Sequence, residues 1–164
     1  MPQHRNKVMA YITSGDRLLL LEHPDHPDAG LQVPAGTLRA GEDPIAGALR
    51  HAEEETGLRD LSVVRIIGTA VFDARPFGRN EMHHRTFAHL RCTTETPECW
   101  EHWETDPSDA PGTRIRFRLF WQRWGSIPAL VAGHDRFVGA LGLVPSGDEF
   151  PDAGDSGALI RDSG

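Results

Sequence analysis

Lysine is nearly missing from this chain: Lys7 is the only one in 164 residues, and every other basic residue except histidine is arginine. Against 24 acidic residues the formal charge is −7, so the broad cationic face that general nucleic-acid binding needs is not expected. Cysteine is scarce as well. Cys92 and Cys99 cannot build a disulfide framework and read as reduced thiols of a cytoplasmic protein. With His102 they match no common zinc-ligand spacing. Long apolar runs are absent too: the longest aliphatic stretch is the four leucines at 18–21, far short of a membrane span. The opening residues MPQHRNKVMAYIT carry no apolar segment followed by a small-residue cleavage site. These shortages point away from membranes, secretion and nucleic acid.

What remains is ordinary for a folded chain. Hydrophobic residues at 38% and charged residues at 25% exclude global disorder, and this length suits one domain with a sizeable core. Residues 1–144 are expected to form that domain. Residues 145–164 hold Asp148, Glu149, Asp152, Asp155 and Asp162 against Arg161 alone and read as an acidic Gly/Ser/Asp-rich tail.

Apolar runs at 8–13 and 18–22, joined by Ser14-Gly15-Asp16, predict a hairpin. A loop over 23–30 and a brief strand at 31–34 follow. Asp43-Pro44 is a helix start, with a capping side chain before proline at the first helical position. Ile45, Ala48, Leu49 and Ala52 recur at helical spacing, and Gly57 supplies a stop, so residues 44–56 predict a three-turn helix. On a helical wheel Arg50, His51 and Glu54 fall opposite that apolar stripe, with Glu55 on the flank. Strands are expected at 61–72, 83–94 and 114–122, a long acidic loop at 95–112, and a short final helix at 133–143. The expected fold class is α+β, an α/β/α sandwich with a mixed β-sheet flanked by helices.

The chemistry concentrates in the helix. Glu53, Glu54 and Glu55 are consecutive carboxylates in its last turn, where they repel one another and face the negative end of the helix dipole. A divalent cation removes that conflict, because hard oxygen ligands on a rigid helix suit Mg²⁺.

Spacing extends this signal. Gly36, Glu42, Arg50, Glu54, Glu55, Gly57 and Leu58 stand at the offsets of the pattern G-x5-E-x7-R-E-U-x-E-E-x-G-U, in which U is aliphatic. Over residues 36–58 the chain resembles the Nudix hydrolases, with one departure: His51 stands where the family has glutamate. The resemblance implies hydrolysis of a nucleoside diphosphate linked to another moiety, with Mg²⁺ or Mn²⁺. It implies Glu54 and Glu55 as metal-binding and catalytic, the Ala35 carbonyl as a further ligand, Arg50 as the residue that orients carboxylates, and Glu42 as a brace between loop and helix. Gly36 is expected to permit a backbone turn that a Cβ would obstruct. His51 remains a candidate ligand or base, since imidazole binds Mn²⁺ and titrates near neutrality. Glu101 and Glu104, in the acidic loop, are the alternative bases.

Other features rank lower. Trp100 and Trp103 either stack on a base or anchor the loop, and Arg75, Arg79 and Arg85 either hold a phosphate or distal group or form strand-edge charge. His23 and His26 read as solvated. The leading reading is a pyrophosphohydrolase acting on a small-molecule nucleotide, with a homodimer left open. The rival is a non-catalytic Nudix domain, a nucleotide-binding sensor or partner-binding module.

Overall fold

The computed structural model describes residues 1–105, 107 and 112–142; the acidic tail expected at 145–164 lies outside them. β1 (Gln3–Ser14) and β2 (Arg17–Glu22) form the expected hairpin, followed by β3 (Ala35–Thr37), α1 (Pro44–Thr56), β4 (Ser62–Asp73), β5 (Glu81–Arg91), β6 (Cys99–Thr105) and β7 (Arg114–Arg123). Together the strands make one seven-stranded sheet in the order β4-β5-β1-β2-β7-β6, with β3 paired to β1. The β1–β5 pair is parallel and the others are antiparallel, giving a mixed sheet and an α+β fold. Among the described residues no helix is long and apolar enough to cross a membrane.

Strand parity divides the core. Ala10 and Ile12 of β1 pack with Leu19, Leu21, Leu90, Leu119 and the helix residue Ala52, while Val8 meets Ala48. Met9 and Tyr11, of opposite parity, pack with Leu18, Leu20, Phe87, Leu130 and Val138 on the other face. Both faces are covered, so residues 8–12 are buried without a break. Each large aliphatic side chain so enclosed contributes about 1.5–3 kcal/mol.

Helix α1 keeps the predicted limits because its ends are locally encoded. The Asp43 carboxylate accepts from the Ile45 and Ala46 N–H groups at 3.0 and 3.1 Å. Gly57 adopts φ 78°, and its N–H donates to the Glu53 carbonyl at 2.9 Å. Ala48 and Ala52 face the sheet with only methyl groups, which lets the helix lie close to it.

Three expectations shift. The strand predicted at 31–34 moves to β3 at Ala35–Thr37; Gln32 makes a single bridge to Leu21, and Pro34 has no N–H to donate to a ladder. The long loop predicted at 95–112 contains β6, which runs antiparallel to β7 from Cys99↔Phe120 to Thr105↔Arg114. The final helix predicted at 133–143 is instead a pair of single 3-10 turns, Val131–Gly133 and Val138–Leu141. Gly133 and Gly142 take left-handed φ there and stop a longer helix from forming. Only α1 is an α-helix among the described residues. The opposite face is covered by those turns, through Leu130, Val138 and Leu141.

One feature of the sheet positions the functional site. β1 and β2 pair only next to their turn, at Thr13↔Leu18 and Ser14↔Arg17. Beyond that point β1 follows β5 and β2 follows β7, so the sheet opens. β3 fills the opening beside β1, with Lys7↔Thr37, Val8↔Gly36 and Met9↔Ala35 in register.

Candidate active site

A cavity of about 170 Å³ lies where β3, the C-terminal half of α1 and the β6–β7 pair come together. Glu55 and His51 reach it from the helix, Glu104 from β6, and Ala35 and Gly36 from β3. Both carboxylates are buried, Glu55 at 7% exposure and Glu104 at 5%. Burying two acids in one small space is costly, and a sequence selected for stability alone would avoid it. The Ala35 N–H donates to Glu55 Oε1 at 3.1 Å, which fixes that carboxylate against β3.

His51 lies on the helix face opposite the apolar stripe, as the helical wheel places it, and is only 3% exposed, because β3 and the following loop pack on that side of the helix. The ring lies at 2.9 Å from the Thr37 carbonyl through Nε2. A carbonyl only accepts, so Nε2 carries the hydrogen and Nδ1 keeps its lone pair. That Nδ1 is buried with no hydrogen-bond partner. Burial, with the Arg50 charge nearby, holds the imidazole pKa below its ordinary value, so His51 is neutral. The same ring explains Gly36. The expected obstruction of a Cβ at Gly36 is present, but its source is the His51 imidazole, which a Cβ there would overlap; Gly36 does not occupy left-handed backbone. Glycine is required by close approach rather than by φ.

Arg50 is turned away from the cavity contents and braces the loop. Its Nε and Nη2 donate to the two oxygens of Glu42 at 3.0 and 2.8 Å, and Glu42 Oε1 also accepts from the Arg39 N–H at 2.9 Å. Hydrogen bonding to Arg50, and then to the backbone, holds the Glu42 carboxyl down to about 2. Arg50 Nη1 also stands 3.6 Å from Glu54 Oε1, and Glu54 itself is partly exposed at the helix end.

The two acids proposed from the supposed loop separate by strand parity. Trp100, His102 and Glu104 face α1, whereas Cys99, Glu101, Trp103 and Thr105 are exposed. Glu104 therefore enters the cavity, while Glu101 is exposed and pairs with Arg116 at 3.4 Å. Trp100 is an anchor: its Nε1–H donates to the Thr56 carbonyl at 2.8 Å. Trp103 is exposed and carries the Arg114 guanidinium 4.4 Å above its ring. The other arginines also divide, because Arg75 pairs with Asp73 at the surface while Arg79 and Arg85 line a second cavity. His23, read as solvated, is half-buried instead; it packs edge-on against Phe117 and lines the acidic cavity. Nothing in its HPDHP surroundings signals this. Gln32 is a second lining residue without a sequence signal.

Among the described residues no three His, Cys, Asp or Glu side chains converge into a closed metal cage. Cys92 is buried and Cys99 exposed, so the zinc set considered with His102 is not assembled. The donors that are present still suit a hard cation. Mg²⁺ typically takes one or two carboxylates and keeps waters or substrate phosphates for its other positions, and Glu55 provides such oxygens beside the unpartnered Nδ1 of His51, with Glu104 lining the same cavity.

The chain is 30% identical over 86 residues to diphosphoinositol polyphosphate phosphohydrolase 2 of Mus musculus, an alignment covering 52% of this chain and 43% of that protein. It thus spans less than half the length of the curated relatives it matches. Among solved structures, a UDP-X diphosphatase superposes with a TM-score of 0.55 at 16% identity, covering 89% of this chain and 68% of the other. A MutT NUDIX hydrolase from Burkholderia pseudomallei gives 0.53 at 19%, covering 82% and 95%. These two share the fold. The NUDIX domain family model matches residues 3–109, most of the described chain, and the protein belongs to that family.

Proposed function

We propose that this protein is a divalent-metal-dependent hydrolase that cleaves the pyrophosphate bond of nucleoside diphosphate derivatives. The observation that carries this reading is the pairing of two buried carboxylates, Glu55 and Glu104, in one cavity behind the Gly36–Glu42 turn. Glu54 and Glu55, with the Ala35 carbonyl and His51 Nδ1, are the groups that would hold Mg²⁺ or Mn²⁺. Such an ion, when bound, neutralises phosphoryl oxygens and makes a bound water more acidic.

The remaining roles belong to the chain. Glu55 is presented in one orientation because the Ala35 N–H occupies Oε1. Arg50 holds Glu42 and stands beside Glu54, so the loop and the helix end move as one unit. Glu104, arriving from β6, accepts the proton of the attacking water as its oxygen bonds to phosphorus and the anhydride P–O bond breaks. His51 is neutral where the family carries a charge, which weakens attraction for Mg²⁺ and favours Mn²⁺, for which imidazole is a better ligand.

The test is a screen of nucleoside diphosphate derivatives with each ion, scored by released phosphomonoester. Turnover that is higher with Mn²⁺ and falls about 100-fold or more in Glu55→Gln is expected. Glutamine keeps the acceptor for the Ala35 N–H, so the fold is retained. Nucleotide binding with no turnover under either ion would establish instead the non-catalytic reading that the His51 departure raises.

A further inference from the structure

A second cavity, of about 300 Å³, adjoins the first and shares Gln32, Ala35 and Gly36 with it. Its remaining polar lining is Lys7, Arg79, His83, Arg85 and His134. Not one carboxylate lines it, in a chain whose net charge is −7.

Arg85 is the unusual member. It is 6% exposed and forms no ion pair among the described residues. Its Nη1 donates to the Ala132 carbonyl at 2.6 Å, its guanidinium lies 3.9 Å from the centre of the Phe72 ring, and its Nε is buried with no partner. Burial pulls its pKa down to about 10, which still leaves it charged at neutral pH. A buried cation without a counter-charge is strongly unfavourable. The backbone that serves it is also strained: Ala132 takes φ 53°, ψ 37°, a left-handed conformation rare outside glycine.

Lys7 adds to the conflict. It is the register partner of Arg85 on the parallel neighbouring strand, so it brings a second cation to the same face of the sheet. Lys7 Nζ also donates to Thr37 Oγ1 at 2.7 Å. Arg79 is held at the rim by Glu81, at 3.1 Å. His134 accepts from the Val33 N–H through Nδ1 at 3.1 Å, so its Nε2 carries a hydrogen and is a further donor. An anion in this cavity would supply the counter-charge that the Arg85 guanidinium lacks.

We propose that this cavity is an anion subsite for a phosphate group of the substrate other than the scissile pyrophosphate, so that the enzyme favours pyrophosphate compounds bearing an additional phosphate. The proposal rests on the hydrolase reading above for the identity of the ligand, but the subsite itself is measurable without turnover. Inorganic pyrophosphate is titrated calorimetrically into the full chain in EDTA. Saturable binding is expected, weakened about tenfold in Lys7→Met and in Arg79→Gln and unchanged in Arg75→Gln, which removes a surface charge outside the cavity. Loss in all three variants alike, or in none, overturns the proposal. Arg85→Met joins this set if its thermal midpoint shows it folded; the two rim variants decide the matter without it. With turnover, NADPH against NADH and coenzyme A against its dephospho form are compared. The phosphorylated member of at least one pair should have the higher kcat/KM through a lower KM, and Lys7→Met should erase that difference. Equal constants within both pairs overturn the substrate assignment. Pyrophosphate binding that behaves as expected while no compound is hydrolysed would defeat the hydrolase reading and leave the anion site standing.

Discussion

Two cavities meet at Gln32, Ala35 and Gly36 and differ in almost everything else. One is lined by Glu55, Glu104 and neutral imidazoles and contains no cation; the other is lined by Lys7, Arg79 and Arg85 and contains no carboxylate. The separation follows from strand parity. α1 packs on the face presented by Val8 and Ala10, so acids from α1 and from the inward positions of β6 collect on that side. Lys7 has the parity of Met9 and Arg85 that of Phe87, so these cations collect on the other. The sheet opens between β1 and β2, and β3 is thin enough to serve as the wall of both cavities. Charges that would cancel if mixed are thereby kept apart, which suits the metal site and the anion subsite proposed above.

The largest expected effect tests which acids belong to the acidic side. Glu104→Gln should lower kcat about 100-fold, in the range for loss of a general base, with KM changed little. Glu101→Gln, three residues away on the same strand but of opposite parity, should stay within about twofold of wild type. It gives up only an exposed pair to Arg116, which solvent screens. Steady-state kinetics on the two variants decides this. Equal loss in both would mean that strand parity does not define the cavity.

The shared wall offers a second test. Gly36→Ala places a methyl group where the His51 ring lies, and overpacking of this kind costs about 1–3 kcal/mol. A fall in thermal midpoint of roughly 5 °C is expected. His51→Ala makes room for that methyl, so the double variant should be more stable than the two separate losses predict when added. Calorimetry on the four proteins reads the coupling directly. Additive losses would show that Gly36 is not held by the ring.

How much of this was legible in the sequence depends on how local the determinants are. Helix α1 was read to its observed ends because Asp43, Pro44 and Gly57 act within a turn of themselves. The hairpin of β1 and β2 was legible for the same reason. β6 was not, because its inward positions include His102 and Glu104. A strand whose buried face is polar does not show the apolar alternation that marks strands, and Pro97 and the acids around it look like loop. The departure that puts Glu104 in the cavity also hid the strand that carries it. The burial of His51 was not legible for a related reason: the wheel finds the face turned to the sheet but not the second face covered by β3. The basic cavity was half visible. Arg79 and Arg85 stand close together in the sequence, but Lys7, about seventy residues earlier, joins them only through the parallel β1–β5 register.

The smallest expected effect compares the braces of the two cavities. Glu42 secures the acidic side through Arg50, and Glu81 secures the basic side by accepting from His83 at 2.9 Å and from Arg79. These partners hold both carboxyls down to about 2, as Arg75 does for Asp73. A carboxyl with a lower pKa folded than unfolded stabilises the fold above its unfolded value of about 4.5. That contribution is lost as the pH falls toward 2, because the unfolded chain takes up the proton first. Urea midpoints measured from pH 6 down to 2.5 should therefore fall most steeply below about pH 4.5. Glu42→Gln and Glu81→Gln should each flatten that limb by up to about one proton of uptake, and by similar amounts. If only Glu42→Gln flattens it, the basic cavity has no brace of its own and takes its shape from the β1–β5 pairing and the Ala132 turn.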